Sequence, residues 1–271
     1  RPKTIKKYES FLRVFASFAA DRKASSISDV RPQLVDEFRS LRKPTHSLKS
    51  MHNEAVMLKG FLRWCVQRQL LSSNPMEAMK FKRPILEPRG GPAPQEVTKI
   101  IGIADGVRKV QLAVLAYTGC RAGELQRLQH GDVDIEAGWI RIVSRDGGQT
   151  KSGYSRKIPI HPVLRDFLET APTTTGPWFF CAPASKKYPR GGHQISTKRL
   201  NEDFLSLLKK VGLKAGRDTG FTIHSLRHAF ETISVNAGIP QRVIDTWLGH
   251  RSDRSMASIY YRLTDEESQR F

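Results

Sequence analysis

The chain has 271 residues, 39% of them hydrophobic, enough to bury a core without disulfide or metal staples. Lys and Arg number 45 against 26 Asp and Glu, a net charge of +19, and such an excess points to a polyanion, because each neutralised phosphate releases condensed counterions. Cys65, Cys120 and Cys181 form no CxxC or CxxH pair, and no apolar run approaches the ~20 residues of a membrane span, which argues against a disulfide framework, a zinc site and a membrane anchor.

An odd cysteine count and the lack of a charged-then-apolar leader suit a cytoplasmic, nucleoid-associated protein. Arg1 in place of Met leads us to expect further sequence upstream. Residues 1 to about 80 read as helices only. Tyr8, Phe11, Leu12, Phe15 and Phe18 recur at three- and four-residue steps, the period of an amphipathic helix. A second helix is expected after Pro32, with Leu34, Val35 and Phe38 inward, and Pro suits the first turn. The third and longest carries Leu48, Met51, Ala55, Leu58, Phe61, Leu62, Cys65 and Val66. After the Asn74-Pro75 turn, Met76, Met79 and Phe81 suggest a short closing helix.

Four prolines and two adjacent glycines between Phe81 and Pro94 break every period. The expected organisation is therefore a helical domain over 1–82, a linker over 83–94 and a second domain over 95–271. Residues 1–91 carry 19 basic and 8 acidic side chains and the remaining residues 26 and 18, so both halves are basic. Two basic domains fit a clamp around a duplex better than a binding domain tethered to a neutral enzyme.

Beyond the linker, 95–104 and 107–117 look helical, Gly119 is placed to end a helix, and a helix resumes over 121–128. Trp139-Ile-Arg-Ile-Val143 alternates as a strand does, and Arg156-Lys-Ile-Pro-Ile160 answers it across turn-forming glycines. A hairpin or three-stranded sheet follows. Helices return over 163–169, 196–211, 224–237 and 241–248. The fold class is mainly α with a small antiparallel β-sheet.

No GxxxxGK[ST] loop, strand-borne GxGxxG or HExxH is present, so any phosphate chemistry must proceed without a bound nucleotide, and we expect neither cofactor nor metal. What stands out is a set of basic residues at the ends of elements. Thr118-Gly-Cys-Arg-Ala-Gly-Glu124-Leu places Arg121 at a helix start with Glu124 one turn on. His224-Ser-Leu-Arg227-His228 opens another helix, with His224 and Arg227 three apart and expected to face together. Leu248-Gly-His250 closes a helix, Lys151 sits in the hairpin loop, and Tyr260 and Tyr261 follow.

These segments, in this order, resemble the catalytic segments of tyrosine recombinases, the phage integrase family. Gln149-Thr-Lys151-Ser-Gly-Tyr is similar to the family's lysine-bearing hairpin, and together the matches span 95–262. Residues 1–80 resemble its core-binding domain in helical pattern alone. The resemblance implies a two-domain DNA clamp in which Tyr260 attacks a phosphodiester to give a 3′-phosphotyrosine. Arg121 and Arg227 would hold the nonbridging oxygens, Lys151 would protonate the departing 5′ oxygen, His224 would assist proton transfer, and His250 would donate a hydrogen bond to the phosphate. Glu124 would fix an arginine or the helix start, His228 would pack beside the active face, and Trp247 would be core. The His250–Tyr260 gap is one residue longer than the family's usual spacing. Met256-Ala-Ser-Ile-Tyr260 resembles the segment before the nucleophile, which selects Tyr260 and leaves Tyr261 as the alternative register.

Implied partners are duplex DNA with inverted-repeat core sites, three further copies of the chain in a homotetramer, and accessory DNA-bending proteins as candidates. The function implied is integration, excision or resolution of a DNA element. The rival readings are a type IB topoisomerase-like relaxase and a catalytically silent DNA-binding accessory protein. The family often passes a C-terminal segment to a neighbouring subunit, and Leu263–Phe271 would be a short version of it.

Overall fold

In a computed structural model, residues 2–85, 87, 90–150, 153–172, 174, 176–217, 220–250 and 264–271 are described, with backbone alone at residues 2 and 3. The chain forms two compact units, Arg1–Glu87 and Pro88–Phe271.

The first unit packs α1 (Pro2–Ala20), α2 (Pro32–Arg42) and α3 (Leu48–Gln67) around their apolar stripes. Phe11, Phe15 and Phe18 of α1 meet Phe38 of α2, the last two at ring centroid distances of 5.1 Å in edge-to-face geometry. Val35, Leu58, Leu62 and Met76 complete this core, whereas Tyr8, on the expected stripe, is exposed. Pro32 opens α2, and Ser47 caps α3 by accepting from the Ser50 N–H.

The short closing helix expected after Asn74 is instead a turn. Asn74 Oδ1 accepts from the Met76 N–H at 2.9 Å, and Lys59 Nζ donates to the carbonyls of Glu77 and Met79. Side chains thus satisfy the backbone groups that a helix would have paired, and Met76 is buried without one.

In the second unit, α4 (Pro94–Gly102) leads to α5 (Gly106–Thr118), in which every residue from Val110 to Ala116 is buried. A helix apolar all round belongs at the centre, and α5 packs on α4, α7 (Pro162–Glu169) and α9 (Ser225–Asn236). The helix resuming at Arg121 is shorter than expected, α6 (Ala122–Leu125). Helices α8 (Thr197–Lys210), α10 (Gln241–Leu248) and α11 (Asp265–Gln269) complete the described helical set. No described helix is long and apolar enough to cross a membrane.

The sheet runs β1 (Val133–Asp134), β2 (Trp139–Ile142), β3 (Arg156–Pro159), antiparallel throughout. Its register sets Ile140 opposite Ile158 and Ile142 opposite Arg156. Side chains two apart on a strand share a face, so Arg156 points the same way as buried Ile158 while Lys157 points out. Helix α11 docks on this same unit: Trp247 Nε1 donates to Ser268 Oγ at 2.8 Å, and Lys157 pairs with Asp265 at 2.6 Å. Trp247 is core, 3% exposed.

Gly119 ends α5 in the left-handed region, at φ +61°. A Cβ there would lie 2.6 Å from both Leu248 Cδ2 and Phe230 Cδ1. Gly119→Ala combines a backbone penalty with overpacking and is expected to cost about 3 kcal/mol. A urea melt checks it; a loss under about 1 kcal/mol would show that the neighbouring side chains yield freely.

Candidate active site

Two helix ends and one strand bring the basic residues together. Thr118 Oγ1 donates to the Val114 carbonyl and accepts from the Cys120 N–H, so the chain leaves α5 at Gly119 on a fixed course. Arg121 is then the N-cap of α6, and Glu124 one turn on accepts from its backbone N–H at 2.9 Å and its Nη1 at 3.0 Å. A carboxylate in the first turn also faces the positive end of the helix.

Glu124 holds a second guanidinium. Arg156 Nη2 donates to Glu124 Oε2 at 2.7 Å, and Arg156 Nε donates to the Trp247 carbonyl at 2.5 Å. Both side chains are buried. Burial would raise the Glu124 pKa, but the hydrogen bond and charge of Arg156, with the backbone N–H and charge of Arg121, hold it at about 2.

Arg227 lies inside α9 and is 3% exposed. Nη1 donates to the Gly119 carbonyl at 2.8 Å, and Nη2 donates to the Leu248 carbonyl at 2.7 Å. Its Nη2 also stands 2.9 Å from His250 Nε2. Each carbonyl belongs to a helix end closed by a left-handed glycine, Gly119 after α5 and Gly249 after α10. The two caps that turn the chain are thereby stapled by one guanidinium. Burial first, then the charges of Arg121 and Arg156, lower the Arg227 pKa to about 10, so it stays cationic at neutral pH.

Two guanidiniums therefore pair with one carboxylate, and Arg227 adds a third positive charge close by. Arg121 is the least covered, with 24% of its side chain exposed. This surplus of fixed positive charge is a site for an anion. Cys120 is no rival nucleophile, since burial and the neighbouring Glu124 push its thiol up to about 11.

His250 takes the position after Gly249, its N–H bonded to the Asp245 carbonyl at 2.9 Å. Burial and the charge of Arg227 lower its pKa, against Glu231 and Asp245. His224, expected to face together with Arg227, is exposed at the start of α9, while Arg227 is buried. The His224 ring meets that of His228 edge-on at 5.0 Å, and both line a cleft of about 550 Å³ with Lys214, Arg217 and Thr222. Lys151, Tyr260 and Tyr261 lie outside the described residues.

Among the described residues, Glu231, Asp245 and His250 bring three potential metal-ligating atoms within 4.8 Å of one another. An arginine has no lone pair, so Arg227 can only donate to Nε2, and in neutral His250 the proton sits on Nδ1. The nitrogen facing the carboxylates is then a donor, unsuited to a metal in this state. Sequence reading passed over Arg156 and Asp245. Arg156 carried one signal, a cation two residues before the apolar Ile158 on an alternating strand.

The phage integrase family model matches residues 93–267, and the chain belongs to that family. It is a tyrosine recombinase, an enzyme of site-specific recombination that breaks and rejoins DNA. Tyrosine recombinase XerA of Pyrococcus horikoshii is 31% identical over 237 residues, 83% of this chain and 73% of that protein. Tyrosine recombinase XerD of Staphylococcus epidermidis is 24% identical over 277 residues, 97% of this chain and 89% of its own. A lambda integrase tetramer bound to a Holliday junction shares the fold at TM-score 0.72 and 18% identity, covering 94% of this chain and 73% of that one.

Proposed function

We propose that this recombinase exchanges strands between duplexes carrying inverted-repeat core sites, through a 3′-phosphotyrosine on Tyr260, in the service of integrating, excising or resolving a DNA element. The observation that carries this reading is the pair of guanidiniums, Arg121 and Arg156, sharing the single carboxylate of Glu124, with the buried guanidinium of Arg227 adding a third positive charge close by. A phosphodiester under attack becomes pentacoordinate and concentrates charge on its nonbridging oxygens. Arg121 and Arg227 present planar forks to those oxygens, and Glu124 with Arg156 holds the Arg121 turn in place.

Tyr260 attacks phosphorus and the 5′ oxygen departs, so the bond energy is kept in the phosphotyrosine and no ATP is needed. Lys151 delivers the proton to the 5′ oxygen, His224 assists proton transfer at the tyrosine, and His250 faces the phosphate. Residues 1–82 act as the core-binding domain, 83–94 as the linker and 95–271 as the catalytic domain, with the two basic domains gripping the duplex. Two duplexes with four cleavage points need four active sites, hence a homotetramer, and the lambda integrase tetramer supports that assembly. Accessory DNA-bending proteins and a cytoplasmic, nucleoid-associated setting complete the proposal.

Covalent capture tests it. The chain is mixed, with chelator present, with nicked duplexes whose core sequence is randomised, and SDS-resistant adducts are isolated and sequenced. Adducts lost in Tyr260→Phe and kept in Tyr261→Phe are the expected result. Loss in Tyr261→Phe alone would move the nucleophile by one residue. Sequence-selective binding with no adduct in any pool would leave a silent DNA-binding protein instead.

A further inference from the structure

We infer that Asp245, with Glu231 beside it, is a positioning residue for His250: the carboxylates hold the ring by Nδ1–H and let it carry a second proton on Nε2 when a phosphate oxygen replaces Arg227 there. The inference rests on the reading above that His250 faces the scissile phosphate.

His250 Nε2 accepts from Arg227 Nη2 at 2.9 Å, which puts the proton on Nδ1. Nδ1 stands 3.5 Å from Asp245 Oδ1, with a Glu231 carboxylate oxygen in the same cluster. Asp245 is restrained from two sides. Its Oδ1 accepts from Gln241 Nε2 at 3.1 Å, and its backbone carbonyl takes the His250 N–H at 2.9 Å. The left-handed turn at Gly249 makes that second bond, so ring and carboxylate share one helix end.

A phosphate oxygen only accepts, and a neutral His250 with its proton on Nδ1 also only accepts at Nε2. Contact between them requires a proton on Nε2; moving the Nδ1 proton there would set a bare nitrogen against the Asp245 carboxylate, so a second proton, drawn from solvent, is favoured.

The charges around the ring decide when it arrives. Arg121 faces it from the start of α6, Arg227 and Glu231 from α9, and Asp245 from α10, while Arg156 of β3 lies against Gly249. Without DNA, burial and the cations prevail and the ring is held neutral. A phosphate that engages Arg121 and Arg227 cancels their charge and leaves the two carboxylates unopposed. The same groups then favour the imidazolium, with Nδ1–H toward Asp245 and Nε2–H toward the phosphate.

Two measurements on the whole chain test this. Histidine ¹⁵N spectra of the DNA-free protein, with the His250 signals assigned by their loss in His250→Gln, should show Nε2 unprotonated and Nδ1 protonated. The opposite tautomer would overturn the inference. First-turnover cleavage of a captured nicked duplex is then followed from pH 6 to 9. Asp245→Asn should lose roughly tenfold at pH 8, because without the carboxylate the ring holds its second proton less well. The deficit should shrink as the pH falls, and Asp245→Glu should restore most of the rate. A deficit equal at every pH, or no deficit, would make Asp245 merely part of a helix end. If His250→Gln cleaves as fast as the unmodified chain, the role given to His250 in the proposed function fails, whatever Asp245 does.

Discussion

Replacing Glu124 by Gln is expected to lower the thermal midpoint of the Pro88–Phe271 unit by roughly 10 °C, the equivalent of about 3–5 kcal/mol for breaking a buried ion pair from one side. Glutamine fills the same space, so packing contributes little. What changes is that Arg156, with 6% of its side chain exposed, and Arg227 lose the one anion among them. The pH dependence identifies the cause. Glu124 titrates near 4.5 in an unfolded chain and at about 2 in the folded one. Its contribution, about 3 kcal/mol, is therefore fully present above pH 4.5 and drains away as the pH falls toward 2. Chemical denaturation of both proteins between pH 7 and 3 should show the gap closing across that window. A gap that stayed constant would assign the loss to packing, not to charge.

The parts of this molecule legible in its sequence are those whose cause is local. Phe11, Phe15 and Phe18 announce α1 by spacing, Pro32 marks a helix start, and Gly119 and Gly249 mark helix ends because only glycine adopts their backbone freely. The contact between Arg121 and Glu124 is also local, one helical turn apart. The Asn74–Phe81 segment misled because its apolar spacing suits a helix while Asn74 and Lys59 supply competing partners, the latter from another element.

Arg156 escaped notice for a different reason. Its carboxylate is 32 residues back and its carbonyl acceptor 91 residues ahead, so no periodicity could join them. Motif resemblance named Arg227 and His250 in separate segments, yet neither their contact nor the acceptors that fix them. Those are carbonyls, and a carbonyl has no identity in a sequence. Asp245 belongs to the same class, since its place beside His250 follows from a helix cap as much as from its residue type.

Arg227→Lys should slow first-turnover formation of the covalent adduct by roughly 10²- to 10³-fold, the scale of losing one fixed donor set at a developing oxyanion. The substitution keeps the positive charge, so equilibrium binding to the same duplex should change by less than about tenfold. The reason lies in geometry. One planar group donates to the Gly119 carbonyl, the Leu248 carbonyl and His250 Nε2 in fixed directions. An ammonium on a flexible stem offers three donors from a single point and cannot span two carbonyls on different helix ends while also serving a phosphate. Keeping a guanidinium there is itself unfavourable: its pKa falls from 12.5 to about 10, a cost of roughly 3 kcal/mol to folding at neutral pH. In the proposed role, a phosphate's charge would offset part of that cost, so the free protein would hold in Arg227 part of the attraction it offers the phosphate. Measuring adduct rate at saturating DNA, binding by mobility shift, and melting with and without the duplex separates these effects. Cleavage within tenfold of the unmodified chain, or a loss confined to binding, would mean that charge alone matters at this position and that the fork serves the fold.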